Sequence, residues 1–192
     1  MSLETRVTEL ECEQRQLLER CISLEEQNSA LATLYVACQR LHSGLSWSEV
    51  LATTREIIAN LIGCEEYVLF KLASDGWLRR LDSAGVCPES YERVLPGHGL
   101  IGRSIETGEI YIAGESDSSA ATLIDRNLTA CIPLKRNAAV TGAIALFRLL
   151  PQKPELQPLD RELFQLLETH LATALHHSEL VQTASLSNGD GA

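Results

Sequence analysis
The sequence predicts an α+β domain preceded by a parallel coiled coil, and three observations lead there. Leucine recurs at every seventh residue from Leu3 to Leu31. Beyond that repeat, the apolar pattern passes through a short helix, a strand hairpin, an irregular stretch, three more strands and a closing helix. This order lacks the strict strand–helix alternation of a doubly wound sheet. Hydrophobic residues make up 45% of the 192-residue chain, enough for one domain with its own core.

Leu3, Leu10, Leu17, Leu24 and Leu31 occupy the d position of a single heptad frame, and Val7, Gln14, Cys21, Asn28 and Tyr35 the a position. Sustained heptads predict supercoiled helices. The a row is mixed, small or polar, so the seam is marginal. Asn28 is the residue type that fixes parallel register in two-stranded coils by pairing with its symmetry mate. In that arrangement Arg6 faces Glu11 of the second helix and Arg20 faces Glu25, both attractive pairs. Residues 1–38 are therefore assigned to a dimerisation helix in which Leu3, Val7, Leu10, Leu17, Cys21, Leu24, Asn28 and Leu31 meet a second copy. From Leu31 onward, Leu34, Tyr35, Cys38 and Leu41 widen the stripe to the kind that packs on a globular body.

The domain is expected over 39–183. "SWSEVLATTREIIANLIG" reads as a helix with Ser46 or Ser48 as cap, Glu49 in its first turn and Gly63 as its stop. "EEYVLFKLAS" and "WLRRLDSAG", joined by "DG", read as a hairpin, and "PESYERV" as a helical turn or two. Gly97, Gly99 and Gly102 match the spacing of a dinucleotide-binding turn. Pro96 interrupts the approach, however, and no strand runs into the first glycine, so the glycines are read as letting the chain turn into a short helix that stops at Gly108. "EIYIAG" reads as a strand, "ESDSSAATLIDRN" as a loop with a little helix, and "TACIPLKRNAAVTGAIALFRL" as two strands around a polar turn. A long helix beginning near Pro158 and Asp160 closes the domain, and residues 184–192 are expected to form a disordered tail.

Sixteen basic residues against 26 acidic ones give a formal charge of −10, which offers no basic surface to nucleic acid. No apolar run of membrane-spanning length and no signal peptide stands at the N-terminus, so no membrane association and a cytoplasmic location are expected. The six cysteines contain no C-x-x-C pair, and the sequence is read as having no short Cys/His ligand spacing such as a zinc site needs. No metal and no cofactor are expected. The cysteines are read as small hydrophobes, and His176 and His177 as solvent-facing.

Taken in succession, "YVLFKLASDGWLRRLDSAG", "GHGLIGRSIETGEIYI", "CIPLKRNAAVTGAIALFR" and "PLDRELFQLLETHLATAL" resemble a GAF domain over about residues 30–180. The resemblance implies an antiparallel sheet of five to six strands with a helical layer on one face. A cavity on the other would be roofed by the glycine turn and the "ESDSSAATLID" loop. Carried onto this chain, that cavity would draw on Phe70, Arg79, Ile101, Leu123 and Cys131, with His98, Arg103 and Ser118 as polar contacts. Arg79 and Arg80 are adjacent on a strand, so at most one of them faces it. The Asn-Lys-Phe-Asp-Glu signature of cyclic-nucleotide GAF domains and the Cys-His pair of chromophore-bearing ones are not traced here.

The resemblance implies a non-catalytic, homodimeric regulatory module that senses a small molecule or serves as an adaptor for a signalling partner protein. Taken as complete, the chain carries no output domain, so its effect would pass through that partner. One alternative is a GAF scaffold whose pocket is filled, by Phe70, Leu72 or Leu123, and which serves only dimerisation and docking. Another is an enzyme similar to free methionine-R-sulfoxide reductases, with Cys87 and Cys131 as candidate thiols. That family's closely spaced cysteine pair is missing between them.

Overall fold
Helix α1 runs unbroken from Leu3 to Ser43. The computed structural model describes residues 3–43 and 46–187, with side chains described over 10–43 and 46–183. The chain falls into two units divided between Val36 and Ala37. The first is helical, and its described heptad leucines are exposed: Leu17 is 64% and Leu31 62% exposed, with Leu10, Leu24, Cys21 and Asn28 exposed beside them. Leu3 and Val7 lie outside the residues whose side chains are described.

The second unit begins with the last turns of α1, where Ala37 and Leu41 are fully buried. Helix α2 (Trp47–Glu56) starts at Ser46 with a reciprocal cap: the Ser46 hydroxyl accepts from the Glu49 amide while the Glu49 carboxylate accepts from the Ser46 amide. The expected single helix changes character at Ile57, continuing to Ile62 as a π-helix that ends on left-handed Gly63, whose N–H donates to the Ile58 carbonyl. Ile57, Ile58 and Ile62 are all in the core, and the wider turn brings Ile57 and Ile62 nearer to one line than an α-helix would.

Six antiparallel strands follow in the order β3-β2-β1-β6-β5-β4: β1 (Cys64–Leu72), β2 (Leu78–Ala84), β3 (Arg93–Val94), β4 (Tyr111–Ile112), β5 (Ala130–Arg136) and β6 (Ala139–Leu149). The β5–β6 turn places Asn137 and Ala138 at φ 50 and 64, the double left-handed geometry of a two-residue hairpin. Helix α4 (Pro158–Ser187) is longer than expected: residues 184–187, assigned to the tail, are helical, and 188–192 lie outside the described residues. Its start is locked by Asp160, which accepts from the Gln157 amide and from the half-buried Lys153 ammonium at 2.6 Å each.

Strand alternation sorts the core. Val68 and Phe70 of β1 pair with Ala145 and Ala143 of β6 on one face, so Leu69, Ile144 and Ile132 belong to the other, beneath α4. On that helical face Asp82 accepts two hydrogen bonds from Arg55, at 2.6 and 2.8 Å, and one from the Tyr67 hydroxyl at 2.6 Å. These join α2, β1 and β2. Among the described residues no buried side-chain nitrogen or oxygen lacks a partner.

Helix α3 (Gly99–Thr107) lies on the opposite face, and its N-terminus is held from a distance. The buried Asp125 carboxylate accepts from the Leu100 and Ile101 amides at 3.0 and 3.1 Å, and from the Thr122 amide and hydroxyl at 2.8 and 2.6 Å. Glycine makes this approach feasible. A Cβ on Gly99, which sits at φ 71, would stand 2.4 Å from Asp125 Oδ2, and one on Gly102 would stand 2.4 Å from the Leu95 carbonyl oxygen.

Two outcomes are expected. Asp125→Ala should destabilise the domain by about 3 kcal/mol, as the loss of a cap and two stranded amides. Gly99→Ala should cost at least as much, both read from urea midpoints at constant slope. The second outcome concerns pH. Burial alone would raise the Asp82 carboxyl, but the Arg55 and Tyr67 hydrogen bonds hold it below its ordinary value. A depressed folded-state value contributes stability above the unfolded pKa of about 3.9 and loses it as pH falls through the folded one. Asp82→Asn should therefore be less stable at neutral pH, and its stability should fall less than the wild type's on acidification below pH 4.

Candidate functional site
The face of the sheet under α3 is where a small molecule was expected, and side chains occupy it. Phe70, Phe147, Val94, Leu100, Ile101 and Ile105 are all buried there, with Leu78, Leu128 and Cys131 in the same cluster. Tyr91 stacks at a tilt on Phe147, ring centroids 5.0 Å apart. Open grooves remain on either side of this plug. One of about 190 Å³ lies between α3 and β4, lined by Arg103, Ser104, Tyr111 and Asp117 among others. Another of about 440 Å³ is bordered by Cys87, Tyr91, Ile124 and Asn127.

The anion-binding potential of the α3 N-terminus is likewise taken up. Free amides at a helix start attract phosphate, but here Leu100 and Ile101 already donate to the chain's own Asp125. The glycine turn thus serves an internal carboxylate.

The residues expected to form a site separate into two groups. Phe70, Ile101 and Cys131 come together in the cluster, as packing. His98, Arg103 and Ser118 lie at the surface instead. Arg103 donates to Asp117 across 3.0 Å, and Asp117, which also accepts from the Ser119 amide and hydroxyl, is held down to about 2 by those bonds and that guanidinium. Leu123 is 92% exposed, because the Thr122–Asp125 turn sends Ile124 rather than Leu123 toward the cluster. Arg79 pairs across the strands with Lys71, which binds Glu179 of α4, so it belongs to the helical face; its side chain is paired with Asp75 at 2.6 Å.

The candidate thiols are differently placed. Burial pushes Cys131 up to about 12, which leaves it protonated and a poor nucleophile. Cys87 is exposed, and its thiol donates to the Glu89 carboxylate at 2.9 Å. A third grouping was missed in the sequence. Cys38 and His42, one helical turn apart near the end of α1, converge with His170 of α4. His42 Nε2 lies 2.8 Å and Cys38 Sγ 3.8 Å from His170 Nδ1, and all three ligand atoms fall within 4.8 Å of one another. The signal was the C-x-x-x-H spacing on a helix, with its complement 128 residues further on.

Comparison with known proteins now places the chain. The family model described as GAF domain matches residues 46–175. Among solved structures, the GAF domain of a phosphoenolpyruvate-protein phosphotransferase from Acinetobacter superposes with a TM-score of 0.61 at 20% identity, covering 80% of this chain and 96% of that one. The corresponding domain from Coxiella burnetii gives 0.62 at 18%, with the same coverage. A free methionine-R-sulfoxide reductase from Neisseria meningitidis, solved with its substrate, gives 0.61 at 16%, covering 79% and 90%. At these identities the likeness is one of fold. No curated protein sequence matches significantly. A matched family model spanning most of the second unit, and a six-stranded antiparallel sheet between α2/α4 and α3, have one conclusion: the chain belongs to the GAF domain family, whose members are typically regulatory or sensory.

Proposed function
We propose that this chain is a non-catalytic regulatory module: a homodimer joined through residues 3–38, whose GAF domain acts as an adaptor toward a partner protein. The filled cluster carries this reading. Phe70, Phe147, Leu100, Ile101 and Ile105 fill the space beneath α3, so the domain meets other molecules with its surface. The buried, protonated Cys131 and the exposed Cys87 beside an acid support a role without thiol chemistry. The exposed leucine row of α1, with Asn28 in its a position, fits a second copy of the same helix in parallel register. No helix of the described residues is long and apolar enough to cross a membrane.

Two experiments test the two halves of this reading. If the cluster is structural packing, Phe70→Ala leaves a void and costs about 3–5 kcal/mol. A variant of unchanged stability that binds a small molecule the wild type also binds would instead make the face a ligand cavity. If the coil is parallel, identical a positions meet across the seam. A chain keeping Cys21 as its only cysteine should then cross-link under mild oxidation, since disulfides need Cα atoms within about 7 Å. Asn28→Leu should tighten association while loosening the choice of orientation. A monomer in sedimentation equilibrium at tens of micromolar, or a dimer without the Cys21 link, overturns this half.

A further inference from the structure
The cluster of Cys38, His42 and His170 lies within the second unit and is separate from the apolar cluster beneath α3. Cys38 and His170 are half-buried, and His42 is exposed. Each element presents its ligands for a structural reason. Residues four apart share a helix face, so Cys38 and His42 point the same way. The fully buried Ala37 and Leu41, one just before Cys38 and the other just before His42, fix that end of α1 against the domain. His170 stands on α4 beside Leu171, which is fully buried, so neither backbone is free to drift.

The two imidazoles meet nitrogen to nitrogen at 2.8 Å, with their rings perpendicular and centroids 5.0 Å apart. Such a contact holds only if one shared proton lies between them, His42 donating to His170 or the reverse. A metal ion is the other occupant that satisfies two facing lone pairs. In a tetrahedral zinc site, with Zn–N near 2.0–2.1 Å and Zn–S near 2.3 Å, ligand nitrogens stand about 3.3 Å apart and a sulfur and a nitrogen about 3.6 Å. The observed 2.8 and 3.8 Å are within half an ångström of those edges. The third pair, Cys38 Sγ and His42, stands within 4.8 Å, so seating the ion calls for these two side chains to turn toward each other by up to about an ångström.

We propose that Cys38, His42 and His170 form a transition-metal site of zinc type, with a fourth position open to solvent on the His42 side. One thiolate and two imidazoles favour zinc over the oxygen-seeking magnesium and calcium. On binding, the Cys38 thiol gives up its proton, each imidazole carries its remaining proton on the nitrogen away from the metal, and one proton per ion leaves to solvent. The bound ion ties the end of α1 to the middle of α4.

The test uses the full chain with the exposed Cys12, Cys21 and Cys87 changed to serine, titrated with cobalt(II) and then zinc(II). The expected result is one cobalt per chain, showing a near-ultraviolet thiolate-to-cobalt charge-transfer band and the strong visible bands of tetrahedral cobalt, all displaced by zinc. C38S should abolish the charge-transfer band, and H170Q and H42Q should each weaken affinity by about a hundredfold or more. Zinc should also slow alkylation of Cys38, mapped by mass spectrometry, by at least about tenfold, a readout that needs no substitution at the site. Absence of the band, its survival in C38S, unaltered alkylation, or a stoichiometry of one ion per two chains would overturn the site.

Discussion

One carboxylate organises the face of this domain that carries α3. Asp125 receives four hydrogen bonds, two from the start of α3 and two from Thr122, and in doing so binds a loop and a helix that are otherwise separate surface features. A buried carboxylate is costly unless its oxygens are met by donors, and here the helix start provides both donors and the favourable end of its dipole. Once α3 is held, Leu100, Ile101 and Ile105 are fixed over Phe70 and Phe147, and the apolar cluster has its lid. The glycines follow from the same constraint. Gly99 leaves room for Asp125, and Gly102 lets the helix pass against the Leu95 carbonyl.

The opposite face is organised by charge met with charge. Arg55, Tyr67 and Asp82 tie α2 to the strands, Lys135 reaches Glu168 and Lys71 reaches Glu179 of α4, and Lys153 with Asp160 closes the entry to that helix. The apolar residues between them are left to fill space. The two faces thus differ in kind: hydrogen-bonded seams flank the core under the helices, while beneath α3 a single anchor secures a dry cluster. A ligand displacing that cluster would have to move α3 and break the Asp125 bonds together.

Much of the fold was legible because local chemistry and tertiary packing agree. The stops at Gly63 and Gly108 and the alternation of the central strands each have one physical reading, and the structure has it; of the two capping serines the sequence offers, Ser46 is the one that closes the box with Glu49, and the heptad stretch is a helix. The π segment was not legible, since three isoleucines within six residues suit an α-helix as well; only the shape of the surrounding core selects the wider turn. Site residues were harder. Phe70 and Leu123 are both large and apolar, and nothing local says that one turns inward while the other is left in water. Arg103 and Arg79 look available in sequence because their carboxylate partners, Asp117 and Asp75, are matched to them only by geometry. Only half of the Cys38, His42 and His170 grouping, the C-x-x-x-H spacing, falls in one short window; its convergence with His170 is long-range and leaves no local trace.

The sheet has one more consequence, set by its borders. β3 and β4 are two residues each, while the strands they flank run to seven or more. A long bare edge is a template on which other chains add strands, whether in aggregates or in recognition of extended peptides. Here the outermost strands themselves offer only two residues each. Edge strands this short give runaway strand addition little to build on, and a partner that docks on helix faces and loops is recognised by side chains rather than by backbone.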